Sequence, residues 1–241
     1  MEMNIDEIIY TEIKDECEHL NIKHSKHIKE LSGPIYDKLN NKVKTGTDKF
    51  KIISALDHSI ESSLGHMFER IANKIAKFNY EVFTYVVNQK IDKNDESINC
   101  DCLIKDNDKY YLIEVKKEGN LDTTKNTGEC KILMEKKNKI CQKLCIDESD
   151  IELVFGTMLP MNKSNKKSNN KKSKKRLVDV KVLHDKDFIK FLTKSQNNNI
   201  WDEYLKSYIK HKEELIDKTI TNIAQRYYHA TNCGDIENCL W

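Results

Sequence analysis

The spacing of apolar residues predicts which segments of this chain are helices. Over residues 49–78 apolar side chains recur every three to four positions, which is the period of an amphipathic helix. The stripe consists of Ile52, Leu56, Ile60, Leu64, Phe68, Ile71 and Ile75. A more polar helix is predicted over residues 6–30, where Gly33-Pro34 ends the pattern, and a short one over residues 36–39.

Two apolar runs joined by polar residues predict a β-hairpin. The runs cover residues 100–105 and 110–116, and Asp106-Asn107-Asp108-Lys109 between them tolerate turn geometry. The β-branched and aromatic residues 80–87 predict a strand before the hairpin. These segments supply the first strands of the predicted sheet.

Helices and strands continue to alternate in the second half of the chain. The sequence predicts a polar loop over 118–128, helices over 130–144, 185–194 and 200–224, and strands over 151–155 and 177–183. This order favours the α/β (α+β) class, with a mixed β-sheet flanked by helices.

The hairpin register brings charged side chains onto one face. If the four turn residues form the loop, Lys105 pairs with Tyr110. The same register puts Asp101 directly opposite Glu114, and period-two alternation places Lys116 on the same face. The opposite face carries Tyr111, Ile113 and Val115, which we expect to point into a core.

This arrangement favours a site for a hard cation. Facing carboxylates repel one another, whereas Mg²⁺ commonly binds through one or two carboxylates together with a substrate phosphate. Lys116 could orient or deprotonate an attacking water, or offset charge that develops at phosphorus. The alternative is a solvated hairpin whose exposed face happens to carry Asp101, Glu114 and Lys116.

The pattern of Asp101, twelve residues and then Glu114-Val115-Lys116 resembles the motif of the PD-(D/E)XK nuclease superfamily, with Cys100 in the place of the proline. Over residues 50–160 the chain is similar to Type II restriction endonucleases. The resemblance implies a restriction-endonuclease-like fold and a Mg²⁺ cofactor held by Asp101, Glu114 and the Val115 carbonyl oxygen. It also implies that Lys116 assists the attacking water.

The predicted long helix carries a further candidate, Glu69. It lies beside the apolar stripe on a flank of small residues, where another backbone can approach closely. The spacing Ser62-x-x-Gly65-x-x-x-Glu69-x-x-Ala72 resembles the glutamate-bearing helix that precedes the first strand in many restriction endonucleases. The resemblance makes Glu69 an outer ligand of the metal site; the alternative is a glutamate exposed on a helix face.

The charge of the chain is unevenly distributed. Residues 162–176 contain eight of the 41 Lys and Arg residues and none of the 39 acidic residues, so a net charge of +2 becomes −6 without them. Such a Lys/Asn/Ser run is predicted to be a flexible loop. It either lies along the DNA phosphates or is a solvated insertion. The lysines proposed to contact DNA here are Lys166, Lys167, Lys171, Lys172, Lys174 and Lys175.

Residues near the end of the second hairpin strand are candidates for further DNA contacts. They are Lys117, at the end of that strand, and Lys125 and Asn126 in the predicted loop after it. The chain has only three arginines, Arg70, Arg176 and Arg226, so arginine binding to guanine is not expected to carry recognition alone.

Composition narrows the class of protein. The hydrophobic fraction of 38% is sufficient for a folded core. Without a long apolar run or a signal-peptide pattern, we expect a cytoplasmic protein with no membrane segment. The eight cysteines include no C-x-x-C pair, which favours reduced, buried thiols over disulfides or a zinc site with His24 and His27.

The resulting hypothesis is a Mg²⁺-dependent Type II restriction endonuclease that cleaves double-stranded DNA as a homodimer. Residues 1–48 and 196–241 are predicted to be helical regions on either side of a catalytic core at 49–195. Two alternatives remain open: a structure-selective or repair nuclease of the same fold, and a nucleic-acid-binding module without catalysis. The complete set of two acids and a lysine favours an enzyme.

Overall fold

The computed structural model describes residues 3–31, 46–89, 98–118, 123–160, 180–197 and 199–232, and every structural statement below concerns these residues. The helices are α1 (Ile5–Leu31), α2 (Gly46–Ala76), α3 (Thr84–Asn88), α4 (Thr123–Leu144), α5 (Asp185–Thr193), α6 (Ile200–His211) and α7 (Asp217–Asn232). The strands are β1 (Glu81–Val82), β2 (Cys102–Asp106), β3 (Lys109–Glu118), β4 (Ile151–Leu159) and β5 (Val180–Leu183). The predicted helix 36–39 and the basic loop 162–176 lie outside the described residues.

The strands form one mixed sheet in the order β1-β2-β3-β4-β5. The β1–β2 and β2–β3 pairs are antiparallel, while β3–β4 and β4–β5 are parallel. The predicted fold class, a mixed sheet flanked by helices, is therefore confirmed. The predicted hairpin register is confirmed as well, since Lys105 pairs with Tyr110.

Helices cover both faces of the central strands. On one face Leu112 and Phe155 belong to a buried cluster with Leu133 and Ile140 of α4. On the other face the Tyr111 ring packs on Phe191 of α5, with centroids 5.2 Å apart. Strand β3 is therefore the middle of a three-layer arrangement, and its side chains alternate between α4 and α5.

Gly156 allows α5 to pack closely on strand β4. A Cβ added at this glycine would overlap the ring of Phe188, which is completely buried. The absence of a side chain at Gly156 thus brings the helix onto the sheet at the position where β4 pairs with Val115.

The predicted strand over residues 80–87 is wrong beyond Val82. The Phe83 amide still donates to the Leu103 carbonyl at 2.8 Å, but the Thr84 hydroxyl then accepts from the Leu103 amide at 2.8 Å. A side chain thus replaces the backbone as the partner of β2, and the chain turns into α3. Burial of Val87 in the sheet's core cluster outweighs the β-propensity of this segment.

Other element boundaries also differ from the prediction. The predicted loop 118–128 is wrong from Thr123 onward, where α4 begins, because packing of the long helix outweighs the low helix propensity of Gly128. Strand β4 runs four residues beyond the predicted 151–155, to Leu159. The predicted helix 200–224 continues to Asn232 and contains a π-helical segment, Lys212–Ile216.

The described chain divides into two compact units. One comprises the described residues within 1–5 and 68–205 and contains the sheet. The other comprises the described residues within 6–67 and 206–241, which are helical. Helix α2 contributes to both units. The predicted division at residues 48 and 195 stays a prediction. None of the helices in the described part of the chain is sufficiently long and apolar to cross a membrane.

Candidate functional site

Asp101 lies one residue before strand β2, at the point where the chain enters the sheet. The residue before it, Cys100, is held by the side chain of Asn88, which is both acceptor and donor to the Cys100 backbone. Asn88 Oδ1 accepts from the Cys100 amide at 3.0 Å, and Asn88 Nδ2 donates to the Cys100 carbonyl at 2.9 Å. Asn88 therefore takes the place that strand β3 would otherwise occupy beside Cys100.

The carboxylate of Asp101 binds the strand edge that β2 no longer covers. Continuing the hairpin register would pair Cys100 with Val115. Instead the Val115 amide donates to Asp101 Oδ2 at 2.9 Å. Because the N–H and C=O of a strand residue point to the same neighbour, the Val115 carbonyl lies on this edge of β3 as well.

Burial and neighbouring acids make the negative charge of Asp101 unfavourable. Desolvation, followed by the charges of Glu114 and Glu69, raises the pKa of Asp101 to about 7, although the Val115 hydrogen bond and the charge of Lys136 oppose the shift. The three carboxylates therefore lie near enough to interact. A cation bound beside the Asp101 carboxylate would therefore stabilise its ionised form.

Glu114 is held by two lysines. Its Oε1 accepts from Lys116 Nζ at 2.9 Å and its Oε2 from Lys136 Nζ at 3.2 Å. Burial by itself raises the pKa of Glu114, but the hydrogen bonds and charges of the lysines outweigh it and lower the pKa. Glu114 is therefore ionised while Asp101 tends to hold a proton, so the two acids are chemically distinct.

Lys116 is an ammonium ion in the free protein. Burial alone would lower its pKa, but the hydrogen bond to Glu114 and the charges of Glu114 and Glu129 outweigh burial and raise the pKa. Glu129 Oε1 lies 3.4 Å from Lys116 Nζ. Lys116 is therefore a donor of hydrogen bonds and positive charge.

Glu69 is joined to the site through the backbone and through its charge. Asn73 Nδ2 donates to the carbonyls of Glu69 and Asp101 at 2.8 and 2.7 Å. The Thr84 hydroxyl donates to Asn73 Oδ1 at 2.6 Å. This network fixes one turn of α2 against the chain entering β2 through the side chain of Asn73. The predicted close approach at the small residues is not seen at Gly65, which has open space around it.

The sequence-predicted residues thus fall into two groups. Glu69, Asp101, Glu114, Val115 and Lys116 come together at the β2–β3 junction. Lys117 is exposed on the other face of β3, 3.8 Å from Glu118. The predicted loop positions of Lys125 and Asn126 are wrong, because both residues belong to the first turn of α4. The basic-loop lysines lie outside the described residues.

Sequence reasoning missed Asn73, Asn88 and Lys136. The two asparagines act through tertiary hydrogen bonds to backbone groups, and no local pattern identifies such partners. Lys136 had a signal: it lies three residues after Leu133 and four before Ile140, both buried, on the apolar face of its helix. A lysine on an apolar face requires a partner.

The donor set fits magnesium better than a thiolate or imidazole metal. Asp101, Glu114 and the Val115 carbonyl supply only oxygen, and two carboxylates suffice for Mg²⁺ when water and phosphate complete its coordination. Across the described ranges, no three His, Cys, Asp or Glu side chains are arranged to hold a metal ion on their own. A metal here would need ligands from the backbone, the solvent or a substrate.

Comparisons with known proteins do not assign this chain to a family. The chain matches no protein-family model, and no curated protein matches its sequence. The resemblance to PD-(D/E)XK nucleases therefore rests on the sequence motif of Asp101, Glu114 and Lys116.

Proposed function

We propose that this protein is a Mg²⁺-dependent endodeoxyribonuclease, and more specifically a Type II restriction endonuclease. The observation that supports the proposal is the convergence of Asp101, Glu114 and Lys116 where β2 leaves β3, with one acid ionised and the other destabilised as an anion. A purely structural pair of acids would be expected to avoid this repulsion.

In the proposed mechanism Asp101, Glu114 and the Val115 carbonyl hold the metal, and Glu69 is an outer ligand. Magnesium bound there would lower the pKa of a bound water molecule and would neutralise the negative charge that develops at phosphorus. Lys116, as an ammonium ion, donates a hydrogen bond that orients the water or stabilises charge on the phosphate. The family chemistry would leave 5′-phosphate and 3′-hydroxyl ends.

The proposed partner is double-stranded DNA, bound by a homodimer. Both strands of a duplex must be cut, and a two-fold protein matches a palindromic site. Lys117, Lys125 and Asn126 and the basic loop 162–176 stay candidates for DNA contacts. Phosphate contacts from the loop would position the protein without reading the sequence.

Digestion of a sequenced plasmid with Mg²⁺ tests the proposal. Discrete fragments that map to one short sequence would support a restriction enzyme. Cleavage confined to branched or damaged DNA would point to a structure-selective nuclease, and retention of DNA without cleavage to a binding module. A chelator should abolish the fragments, and the absence of any metal-dependent cleavage would contradict the enzymatic proposal.

A further inference from the structure

Lys136 is a cation placed on the buried side of α4. It lies on the same helix face as Leu133 and Ile140, which pack on the sheet. Its side chain is only 19% exposed. A lysine in such a place loses hydration, and the fold tolerates it only where its charge has a partner.

The contact that the structure gives to the Lys136 ammonium is Glu114 Oε2, at 3.2 Å. Glu114 is already bonded to Lys116 through its other oxygen. Two ammonium ions therefore share one carboxylate that is 17% exposed. Glu114 carries one negative charge, and the second ammonium also acts on Asp101, whose pKa the charge of Lys136 lowers.

The neighbouring lysine has a different environment. Lys137 Nζ donates to the Ile151 carbonyl at 3.0 Å, at the start of β4. That bond ties the helix to the sheet and leaves the carboxylates untouched. Of these two adjacent lysines, Lys137 therefore has a structural contact, whereas Lys136 contacts the candidate site.

We propose that Lys136 is a substrate-binding residue that exchanges Glu114 for a non-bridging phosphate oxygen when the carboxylates bind a cation. This inference rests on the proposed function. A hard cation on Glu114 removes the acceptor that holds Lys136, and an ammonium ion freed in a half-buried site takes the nearest anionic oxygen. In DNA that oxygen belongs to the phosphodiester backbone.

The exchange predicts that Lys136 binds DNA only when metal is present. The test measures the affinity for a fluorescent duplex, cut from a plasmid region that the wild-type protein cleaves, against salt concentration. The titration is run in chelator and in Ca²⁺, a hard cation that also takes oxygen ligands. A gel run after each titration verifies that the duplex has not been cleaved. In Ca²⁺ the slope of log K against log[salt] should be less steep for Lys136→Met by roughly 0.9, the value for one neutralised phosphate.

Matched variants separate phosphate binding from a packing effect. Lys137→Met should keep the wild-type slope in both conditions, and Lys136→Arg should keep it because it keeps the charge. In chelator all variants should share one slope. Should Lys136→Met fail to fold, Lys136→Gln provides the same comparison with a polar side chain of similar reach.

The outcomes distinguish this inference from the proposed function. Equal slopes for wild type and Lys136→Met in Ca²⁺ would overturn the binding of phosphate by Lys136. An equal reduction in chelator would overturn the exchange, since Lys136 would then bind phosphate with or without metal. A wild-type protein that neither binds nor cleaves duplex DNA would instead remove the proposed function itself.

Discussion

Replacing Asp101 with asparagine should stabilise the metal-free protein above neutral pH. The variant keeps an oxygen that accepts from the Val115 amide but removes the charge that burial, Glu114 and Glu69 make unfavourable. The folded state binds the Asp101 proton more tightly than the unfolded state does. The unfolding free energy of the wild type should therefore fall as pH rises from 3.8 to about 7, and the penalty should be constant above that range.

The pKa shift sets the size of the effect. A change from 3.8 to about 7 corresponds to a ceiling of about 4 kcal/mol, at roughly 1.4 kcal/mol per unit. Relaxation and water entry reduce the cost of a buried charge, so we expect a gain of about 2 kcal/mol or more at about pH 8. Near pH 4 the gain should vanish, because Asp101 is then protonated in the folded protein.

Urea denaturation across this pH range, in chelator, measures the difference between the two proteins. The control is Asp108→Asn, the same chemical change at the exposed turn of the same hairpin, where no buried charge is removed. A stability difference that does not change with pH, or an Asp101→Asn protein that is less stable than wild type at pH 8, would refute the reasoning.

Three further predictions follow from the site and the sheet. Glu114→Ala and Lys116→Ala should each reduce Mg²⁺-dependent plasmid cleavage by a large factor while circular dichroism shows a retained fold; wild-type rates in either would contradict the assigned roles. Gly156→Ala should lower the unfolding free energy by about 1–3 kcal/mol, because the methyl group overlaps a buried phenylalanine ring. The control Gly65→Ala, on a helix with open space around it, should be neutral or stabilising, and similar denaturation midpoints for the two variants would count against the packing argument. Deleting the basic loop 162–176 should reduce the salt dependence of DNA binding by roughly 0.9 for each phosphate that the loop neutralises, without changing the cleavage pattern; an unchanged slope would identify the loop as a solvated insertion.

The sheet and the central pair of acids could be predicted because local patterns determine them. Alternation of apolar residues and a polar turn fix the register of a hairpin, and the register alone brings Asp101 to the level of Glu114. The approach of α2 to Asp101 near Glu69 depends instead on the side chain of Asn73, which the spacing of small residues did not indicate.

What could not be predicted depends on tertiary partners. No local pattern indicates that Thr84 replaces a backbone group beside β2, or that Asn88 takes the backbone of Cys100 from β3. Because the Asn88 side chain is hydrogen-bonded to the Cys100 backbone, strand β2 begins one residue after Asp101. By sequence Lys136 is one of several lysines in its helix, and only packing separates it from Lys137.

The most direct test of the central claim compares wild type with Asp101→Asn on plasmid DNA. Both proteins, purified in parallel and shown to be folded, are incubated with supercoiled plasmid in Mg²⁺ and in chelator, and the rate of strand cleavage is measured. We predict that the wild type cuts the plasmid into discrete fragments only in Mg²⁺, and that the variant, although more stable, does not cut it. Equal cleavage by both proteins, or none by the wild type in Mg²⁺, would contradict the assignment of a magnesium-dependent nuclease.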